Sequence, residues 1–420
     1  MTVPVDYLDA SLGTIDLAMI RRPAKDASRR IGTMLINPGG PGASGVRRVR
    51  RGLTVSSEVA ARFDIVGFDP RGIGRSHPVR CGSTVPAFRA MDLDPDTTDE
   101  AIALERAAKA VADECASGEG PLLGHLGTWE TVRDVEVIRR ALGESQISFL
   151  GLSYGTLIGL LWAEAYPTSV RALVLDGVVD PAQSDESTTA AYGAIDRTMA
   201  KIDAACAARA DCPVTGSGGV VAAYDELARR LDDAPSSGVG PTQLAYAVFA
   251  ATYGESRWPE LWAALRRGLD DDLAGIAALS AWFTGLVTYA PYAIVTCLDF
   301  PHPVGFEAWQ RSGDAFVAAS PRFGRIAAND QLPCAFLPPA TYEPHDVAAP
   351  GAPPILVIGS TGDTATPYNQ AVRVATNLQS GVLLTVELDG HIALGDSDCA
   401  DATITRYLVD LTTPRPGARC

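Results

Sequence analysis

The sequence predicts an α/β fold, with a mostly parallel sheet flanked by helices and a helical cap inserted between two of its strands. Short apolar, β-branched runs bounded by Gly, Pro, Asp or Asn recur over residues 1–180, and amphipathic stretches of helical period separate them. Over 181–349 the chain is Ala-rich with hardly any strand-like run, and such runs return over 350–420. Because alternating strands and helices are typical of a parallel sheet, we expect 1–180 and 350–420 to form one core and 181–349 to form the cap.

The first part of the core contains five predicted strands and one clear helix. The strands are Thr14–Ile20, Thr33–Ile36, Phe63–Asp69, Ile147–Gly151 and Ala172–Asp176. Between the third and fourth strands, apolar residues recur every three or four positions over Thr128–Leu142, which indicates a helix. Thr128 is suited to cap this helix, and Gly143 to end it.

The rest of the chain is predicted as a helical block followed by a return to the sheet. The predicted elements are helices at Ala190–Ala208, Val220–Leu231 and Pro259–Leu269, strands at Ile355–Ile358 and Leu383–Leu388, and a last helix at Ala400–Leu411. A helical block that interrupts a series of strands indicates an insertion into one α/β core.

Composition and charge exclude several classes of protein. The 420 residues are 47% hydrophobic and 20% charged, as in a globular protein, which excludes a largely disordered or coiled-coil chain. The formal net charge is −15, and the one basic cluster is the short run of arginines from Arg47 to Arg51. Because binding to phosphates needs a basic surface, we expect no nucleic-acid partner.

Two further stretches bear on membranes and targeting. No charge occurs between Glu144 and Glu164, but polar residues and glycines interrupt this stretch, so we expect a buried strand, a turn and a helix rather than a membrane span. The residues Met1–Pro4 show neither the basic nor the apolar region of a signal peptide, so either the protein has none or this chain is a mature form.

Eight cysteines indicate the redox compartment. They are Cys81, Cys115, Cys206, Cys212, Cys297, Cys334, Cys399 and Cys420, and none lies in a metal-binding pattern. Pairing in sequence order would close local loops, and we predict these four disulfides and an oxidising compartment. The alternative is eight buried thiols in a cytosolic enzyme.

A candidate nucleophile stands at Ser153, in the segment Gly151–Gly155 (GLSYG). This segment follows the predicted strand Ile147–Gly151 and opens an apolar helix, which is the strand–turn–helix context of a nucleophile elbow. In such a turn, a strained serine lies at the N-terminus of a helix, and glycines prevent collisions with neighbouring backbone. We therefore predict a serine nucleophile.

A serine hydroxyl needs a base, and His391 is the best candidate among five histidines. It follows the last predicted strand, which is where the base lies when the chain order is Ser, Asp, His. The other histidines lie before the serine (His77 and His125) or in the cap (His302 and His345).

The acid that orients the base should follow a strand and precede the histidine. Asp363 meets both conditions. Asp389, beside Gly390, is the expected turn-former, and Asp396 and Asp398 come after the histidine, in the wrong order.

The glycine-rich segment Asn37–Gly45 follows the second predicted strand and is interpreted as an oxyanion loop. Its four glycines allow backbone amides to approach a ligand. A phosphate-binding loop is the alternative, but no Lys-Ser or Lys-Thr follows and the GxGxxG pattern is absent. We predict an oxyanion hole formed by an amide of Gly39 or Gly40 together with that of Tyr154.

These motifs together resemble one family. The segments are Asn37–Gly45 (NPGGPGASG), Asp69–Ser76 (DPRGIGRS), Gly151–Gly159 (GLSYGTLIG), Gly362–Pro367 (GDTATP) and Gly390–Gly395 (GHIALG), with the opening Val3–Tyr7 (VPVDY). With the cysteine spacing, they make the chain similar to the actinobacterial secreted tripeptidyl aminopeptidases, which are α/β-hydrolases related to the proline iminopeptidases. The resemblance implies the triad Ser153, Asp363 and His391 in a secreted serine exopeptidase that removes short peptides from free N-termini.

An aminopeptidase must bind the ammonium group of its substrate, and a carboxylate from the cap is the expected partner. The candidates are Asp299, Glu255 and Glu186. We expect peptide or small ester substrates, no cofactor, no metal and no membrane partner; the sequence does not give the oligomeric state, and a monomer is favoured.

Three alternatives stay open. The first is an esterase, lactonase or thioesterase of the same fold, including one that acts in a biosynthetic pathway. The second is a catalytically inactive binding protein, which requires a broken triad, whereas all three predicted members are present here. The third concerns location, since a cytoplasmic enzyme is the alternative to a secreted one.

Overall fold

The computed structural model describes residues 1–52, 55–183 and 185–420, without the side chains at 185–188, 190 and 192. The described residues form nine strands and sixteen α-helices. The strands are β1 (Thr2–Pro4), β2 (Thr14–Asp16), β3 (Met19–Arg22), β4 (Gly32–Asn37), β5 (Phe63–Phe68), β6 (Ile147–Leu152), β7 (Val170–Asp176), β8 (Ile355–Ser360) and β9 (Gly381–Val386).

The helices fall into three groups along the chain. Those before the cap are α1 (Gly45–Arg51), α2 (Ser57–Arg62), α3 (Val85–Arg89), α4 (Thr98–Glu119), α5 (Thr128–Ala141) and α6 (Gly155–Ala165). Between β7 and β8 lie α7 (Asp185–Ala207), α8 (Val220–Asp233), α9 (Pro241–Thr252), α10 (Trp258–Gly268), α11 (Ala274–Thr284), α12 (Tyr289–Asp299), α13 (Phe306–Ala319) and α14 (Gly324–Asn329). The last group is α15 (Tyr368–Asn377) and α16 (Asp398–Asp410).

Seven strands form one sheet in the order β3-β5-β4-β6-β7-β8-β9. All neighbours are parallel except β3 and β5, which are antiparallel. Strands on both sides of the helical block pair with each other, because β7 and β8 are neighbours. The predicted α/β fold with a mostly parallel sheet is therefore confirmed, whereas the boundaries after residues 180 and 349 stay predictions.

The strands β4, β6 and β8 are buried on both faces, as expected of parallel strands covered by helices. Side chains alternate between the faces along each strand. In β4, Met34 and Ile36 join one apolar cluster with residues of α16, while Leu35 joins the other with residues of α6. Because β4, β6, β7 and β8 are parallel neighbours, their carboxyl ends meet at one edge of the sheet, and the loops that follow them lie side by side.

One predicted strand is wrong. The run Thr14–Ile20 forms two strands, β2 and β3, which belong to different sheets. The amide of Leu17 still bonds the carbonyl of Met1, opposite it in the first ladder, but the amide of Ala18 bonds Ser76 Oγ, and the chain leaves the first ladder there.

All eight cysteines are paired, in sequence order. The disulfides are Cys81–Cys115, Cys206–Cys212, Cys297–Cys334 and Cys399–Cys420, which confirms the predicted pairing.

Across the part of the chain that the structure describes, no single helix is both long and apolar enough to cross a membrane. The pair α11 and α12 passes on length and composition alone and is bent by 52° at its break.

Candidate active site

Ser153 lies in a tight turn between β6 and α6, with a backbone φ of +54°. A non-glycine residue with positive φ is strained. The turn is possible because two glycines let backbone segments come close: a Cβ at Gly151 would lie 2.5 Å from the carbonyl oxygen of Gly155, and one at Gly155 would lie 2.5 Å from that of Asn37. The Ser153 side chain is partly exposed at this elbow.

His391 and Asp363 form a buried hydrogen-bonded pair. His391 Nδ1 lies 2.8 Å from Asp363 Oδ2 and 3.0 Å from Oδ1. Burial disfavours the charged imidazolium, but the charge of Asp363 and its hydrogen bond outweigh this effect, so the pKa of His391 is raised above its ordinary value. This bond leaves Nε2 as the nitrogen that can accept a proton.

Ala365 and Thr366 hold the Asp363 carboxylate in place. The amides of Ala365 and Thr366 both donate to Asp363 Oδ1 at 2.9 Å. The Thr366 hydroxyl donates to Oδ2, also at 2.9 Å. The carboxylate therefore presents itself to His391 in one orientation.

The end of β7 joins the serine and histidine segments. The amide of Ser153 donates to the carbonyl of Asp176 at 2.9 Å. The next residue, Gly177, has a φ of +66°, and a Cβ there would lie 3.1 Å from His391 Cε1. The backbone at 176–177 thus contacts both the elbow and the imidazole, which brings the three predicted triad residues to one edge of the sheet.

The glycine-rich loop packs against the elbow. A Cβ at Gly39 would lie 2.4 Å from the carbonyl oxygen of Leu152 and 3.1 Å from the amide nitrogen of Tyr154. The Gly39 amide itself donates to Asn37 Oδ1 at 2.9 Å. Of the two predicted loop donors, the geometry therefore favours Gly40 as the partner of the Tyr154 amide.

Asp299 is held inside the protein. It is 1% exposed, and its two carboxylate oxygens accept from the amide of Thr128 at 2.8 Å and from the Thr128 hydroxyl at 2.6 Å. The same hydroxyl bonds the phenol of Tyr154. Burial raises the pKa of Asp299 to about 7. These contacts favour a role in positioning Tyr154 and the start of α5, and substrate binding by Asp299 stays a prediction.

Glu255 lies on a cap segment that contacts the histidine loop. Gly254 pairs with Gly390, and the amide of His391 donates to the carbonyl of Tyr253 at 3.3 Å. Glu255 is exposed and follows directly after this contact. Its position is compatible with binding a charged end of a substrate. The side chain of Glu186, the third candidate, lies outside the described residues.

An aromatic side chain of the cap packs against the base. The Tyr253 ring lies edge-on, 5.3 Å from the His391 ring, and also contacts Trp282 and Phe283. All three aromatic side chains are partly exposed. On the other side, a Cβ at Gly40 would lie 2.9 Å from Val287 Cγ1 of the cap. The site is therefore bounded by the sheet edge on one side and by apolar cap residues on the other.

Sequence reasoning missed three residues of this arrangement, namely Asp176, Thr366 and Tyr253. Thr366 lies three residues after the predicted acid, so its position carried a signal, whereas Asp176 ends a predicted strand as a surface acid also would. Nothing in the sequence links Tyr253 to His391. Over the ranges that the structure covers, no three or more His, Cys, Asp or Glu side chains are grouped to hold a metal ion.

This sheet order and site define an α/β-hydrolase-fold serine hydrolase. In agreement, the family described as alpha/beta hydrolase fold matches residues 32–214, and the family described as TAP-like protein matches residues 320–420.

Curated relatives match the chain over its full length. Serine protease Hip1 of Mycobacterium tuberculosis (strain H37Rv) is 34% identical, covering 100% of this chain and 86% of the relative. Carboxylesterase B of the same strain is also 34% identical, covering 100% and 85%. A tripeptidyl aminopeptidase of Streptomyces lividans is 30% identical, covering 99% and 84%. The chain belongs to the tripeptidyl aminopeptidase-like family of α/β-hydrolases, as its motifs predicted.

Proposed function

We propose that the protein is a serine exopeptidase that releases di- or tripeptides from free N-termini. In this proposal Ser153 is the nucleophile, His391 the general base and Asp363 the group that orients the imidazole. The observation that carries it is the strained Ser153 elbow, joined through the end of β7 to a buried His391–Asp363 pair.

The first half of the reaction forms an acyl-enzyme. Ser153 Oγ attacks the scissile carbonyl carbon while His391 Nε2 takes the hydroxyl proton. The carbonyl oxygen becomes an oxyanion that accepts hydrogen bonds from the amides of Tyr154 and Gly40. Collapse of this intermediate breaks the C–N bond, and the imidazolium gives its proton to the departing amine.

The second half releases the short peptide. Water attacks the ester carbon while His391 takes one of its protons, and the same two amides stabilise the second oxyanion. When the ester C–O bond breaks, the proton returns to Ser153 Oγ. The products are the free N-terminal di- or tripeptide and a polypeptide shortened by that length.

The exopeptidase assignment has two supports. Relatives of the chain are named serine protease and tripeptidyl aminopeptidase. Glu255 is an exposed carboxylate two residues after Tyr253, the residue that contacts His391, so a substrate ammonium bound there would lie near the scissile bond. Because a free amine is charged and an acetylated one is not, Glu255 would select free N-termini.

A second candidate is the hydrolysis of esters, lactones or thioesters. It is favoured by the relative named carboxylesterase B and by the partly exposed rings of Tyr253, Trp282 and Phe283, which suit an apolar acyl group.

Tripeptide anilides with free and N-acetylated termini distinguish these candidates. We expect the free-amine substrate to be cleaved at least about tenfold more efficiently, because a charge-assisted hydrogen bond contributes about 1.5–3 kcal/mol. Glu255→Gln should remove most of this preference, and Glu260→Gln, an exposed carboxylate on α10, should retain it. Equal cleavage of blocked and free-amine peptides, or hydrolysis of 4-nitrophenyl esters without measurable cleavage of any peptide, would favour the second candidate.

Ser153→Ala tests the nucleophile for both candidates. It should reduce turnover by about 10⁶-fold and abolish labelling by a serine-directed phosphonate. The control Ser83→Ala changes an exposed serine that is far from Ser153 in the sequence, and it should leave both turnover and labelling unchanged. Labelling that survives in Ser153→Ala would refute the catalytic assignment.

We also propose that the protein acts outside the cytosol, with a cytoplasmic location as the alternative. All eight cysteines are in disulfides, a state that cytosolic thiol systems do not sustain. Cell fractionation with a cytosolic marker tests this proposal.

A further inference from the structure

A second buried carboxylate, that of Asp176, lies beside the histidine loop. Asp176 is the last residue of β7 and is fully buried. Its Oδ2 accepts from the amide of Leu394 at 2.8 Å and from that of Ala393 at 3.1 Å, and its Oδ1 lies 3.0 Å from the Ala393 amide. Ala393 and Leu394 are the second and third residues after the candidate base. They lie 217 and 218 positions after Asp176 in the chain.

The bonded segment is strained. Ile392, directly after His391, has a φ of +74°. A β-branched residue is a genuine outlier in this region and stays there only when its surroundings fix the backbone. The Asp176 carboxylate holds the two amides that follow Ile392, so it fixes the turn that orients the imidazole.

The same residue also holds the nucleophile. Its backbone carbonyl accepts the amide of Ser153 at 2.9 Å. Gly177, the residue after it, donates to the carbonyl of Ile358 in β8 at 3.2 Å and lies against the His391 ring. One residue therefore bonds the nucleophile turn through its carbonyl and the base loop through its carboxylate.

We propose that Asp176 is a positioning residue that sets His391 relative to Ser153 and adds its negative charge to the field at the imidazole. The proposal rests on the assignment of Ser153 and His391 as nucleophile and base. Asp176 acts through these residues and does not touch substrate.

The charged groups around this carboxylate support the electrostatic part. The pKa of Asp176 is raised to about 6, because burial and the charge of Asp363 outweigh the opposing effects of the Ala393 and Leu394 amides and of His391. For His391, burial lowers the pKa, and the carboxylates of Asp363 and Asp176 both raise it. Removing the charge at 176 should therefore lower the pKa of the base.

Two variants separate the geometric role from the charge. Asp176→Ala removes the hydrogen bonds, and kcat for a 4-nitrophenyl ester should fall about 100-fold with KM little changed, as expected when a reacting group is misplaced by about 1 Å. In Asp176→Asn, the side-chain carbonyl oxygen can take the place of Oδ2, which accepts from the amides of both Ala393 and Leu394. The kcat of this variant should therefore stay within about tenfold of wild type. The acid limb of its kcat/KM profile should move to lower pH by about half a unit or more.

Asp64→Ala is the matched control. Asp64 is also a buried carboxylate in the sheet, but it accepts from the amide of Ala24 and pairs with Arg21 and Arg30, away from the site. This variant should lower the melting temperature and leave both kcat and the acid limb unchanged.

The outcomes distinguish the proposal from the underlying assignment. Wild-type kcat in folded Asp176→Ala, or an unmoved acid limb in Asp176→Asn, overturns the role of Asp176. If the alanine variant does not fold, the acid limb of the asparagine variant decides. Survival of phosphonate labelling in Ser153→Ala instead overturns the catalytic assignment, whatever the Asp176 variants show.

Discussion

His391 Nδ1 lies 2.8 Å from Asp363 Oδ2, and both side chains are buried. Asp363 follows β8 and His391 follows the neighbouring strand β9, so the pair forms because these strands are adjacent. The bond directs the other imidazole nitrogen away from the carboxylate, and the negative charge beside the ring makes that nitrogen more basic.

This pair predicts the pH dependence of activity. The pKa of His391 is raised above 6.5 by Asp363 against the effect of burial. Because only the neutral imidazole can accept the serine proton, kcat/KM should rise with pH through a midpoint above 6.5. A kcat/KM profile from about pH 5 to 9 on an ester substrate measures this midpoint.

His345 provides the control for the pH profile. Its pKa is also raised, since its backbone and Glu164 partners outweigh desolvation, but it pairs with Glu164 rather than with a member of the candidate triad. His345→Gln should leave the acid limb in place. A midpoint at or below 6.5, or a limb that moves in this variant, would contradict the assignment of His391 as the base.

Thr366 is expected to affect the rate through Asp363. Its hydroxyl donates to Asp363 Oδ2 at 2.9 Å, and Thr366→Val removes this donor while nearly keeping the shape of the side chain. A hydrogen bond to a charged group contributes about 1.5–3 kcal/mol, so kcat should fall about 10- to 100-fold. Thr366→Ser, which keeps the hydroxyl, should restore most of the rate; equal losses in both variants would show that packing, not the hydrogen bond, is responsible.

Much of this arrangement could be predicted from the sequence because each triad residue follows a strand. Ser153, Asp363 and His391 occur in the required order, and each follows an apolar run that forms a parallel strand of the sheet. Loops after parallel strands meet at one edge of a sheet, so chain order and strand prediction were enough to bring these residues together.

The rest depends on contacts between distant segments. Asp176 has the same sequence context as a surface acid at a strand end, and its role is evident only when residues 393 and 394 are bonded to it. The contact of Gly254 with Gly390 joins cap and core across more than a hundred residues. The predicted strand Thr14–Ile20 was wrong for the same reason, because the Ala18 amide bonds Ser76 Oγ, in a distant segment, and the first ladder ends there.

Asp299 is expected to contribute to stability rather than to substrate choice. Asp299→Ala removes two hydrogen bonds to Thr128 at the start of α5. The free energy of unfolding should fall by about 2 kcal/mol, because the amide of Thr128 would be left buried without an acceptor and its hydroxyl would keep only Tyr154 as a partner. Urea denaturation followed by circular dichroism measures this loss.

The peptide panel supplies the second readout for Asp299. Since both of its oxygens are already bonded, the ratio of free-amine to acetylated substrate cleavage should be unchanged in Asp299→Ala, in contrast to Glu255→Gln. A ratio that falls in Asp299→Ala would show that this carboxylate binds the substrate ammonium.

The disulfide Cys399–Cys420 fastens the C-terminal residues beside the last strand. The amide of Cys420 donates to the carbonyl of Thr385 in β9, and the amide of Thr385 donates to that of Ala418. Replacing both cysteines by serine releases a loop with a sequence separation of 21 residues, which should cost about 3 kcal/mol in the chain-entropy description. The double Cys206 and Cys212 variant opens a loop of separation 6 and should cost about 2 kcal/mol. Because neither bond includes a residue of the candidate triad, kcat at 25 °C should be retained in both variants. The unfolding midpoint in urea should fall more in the Cys399/Cys420 variant than in the Cys206/Cys212 variant. Loss of kcat in the folded Cys399/Cys420 variant would show that the C-terminal residues support the His391 loop directly.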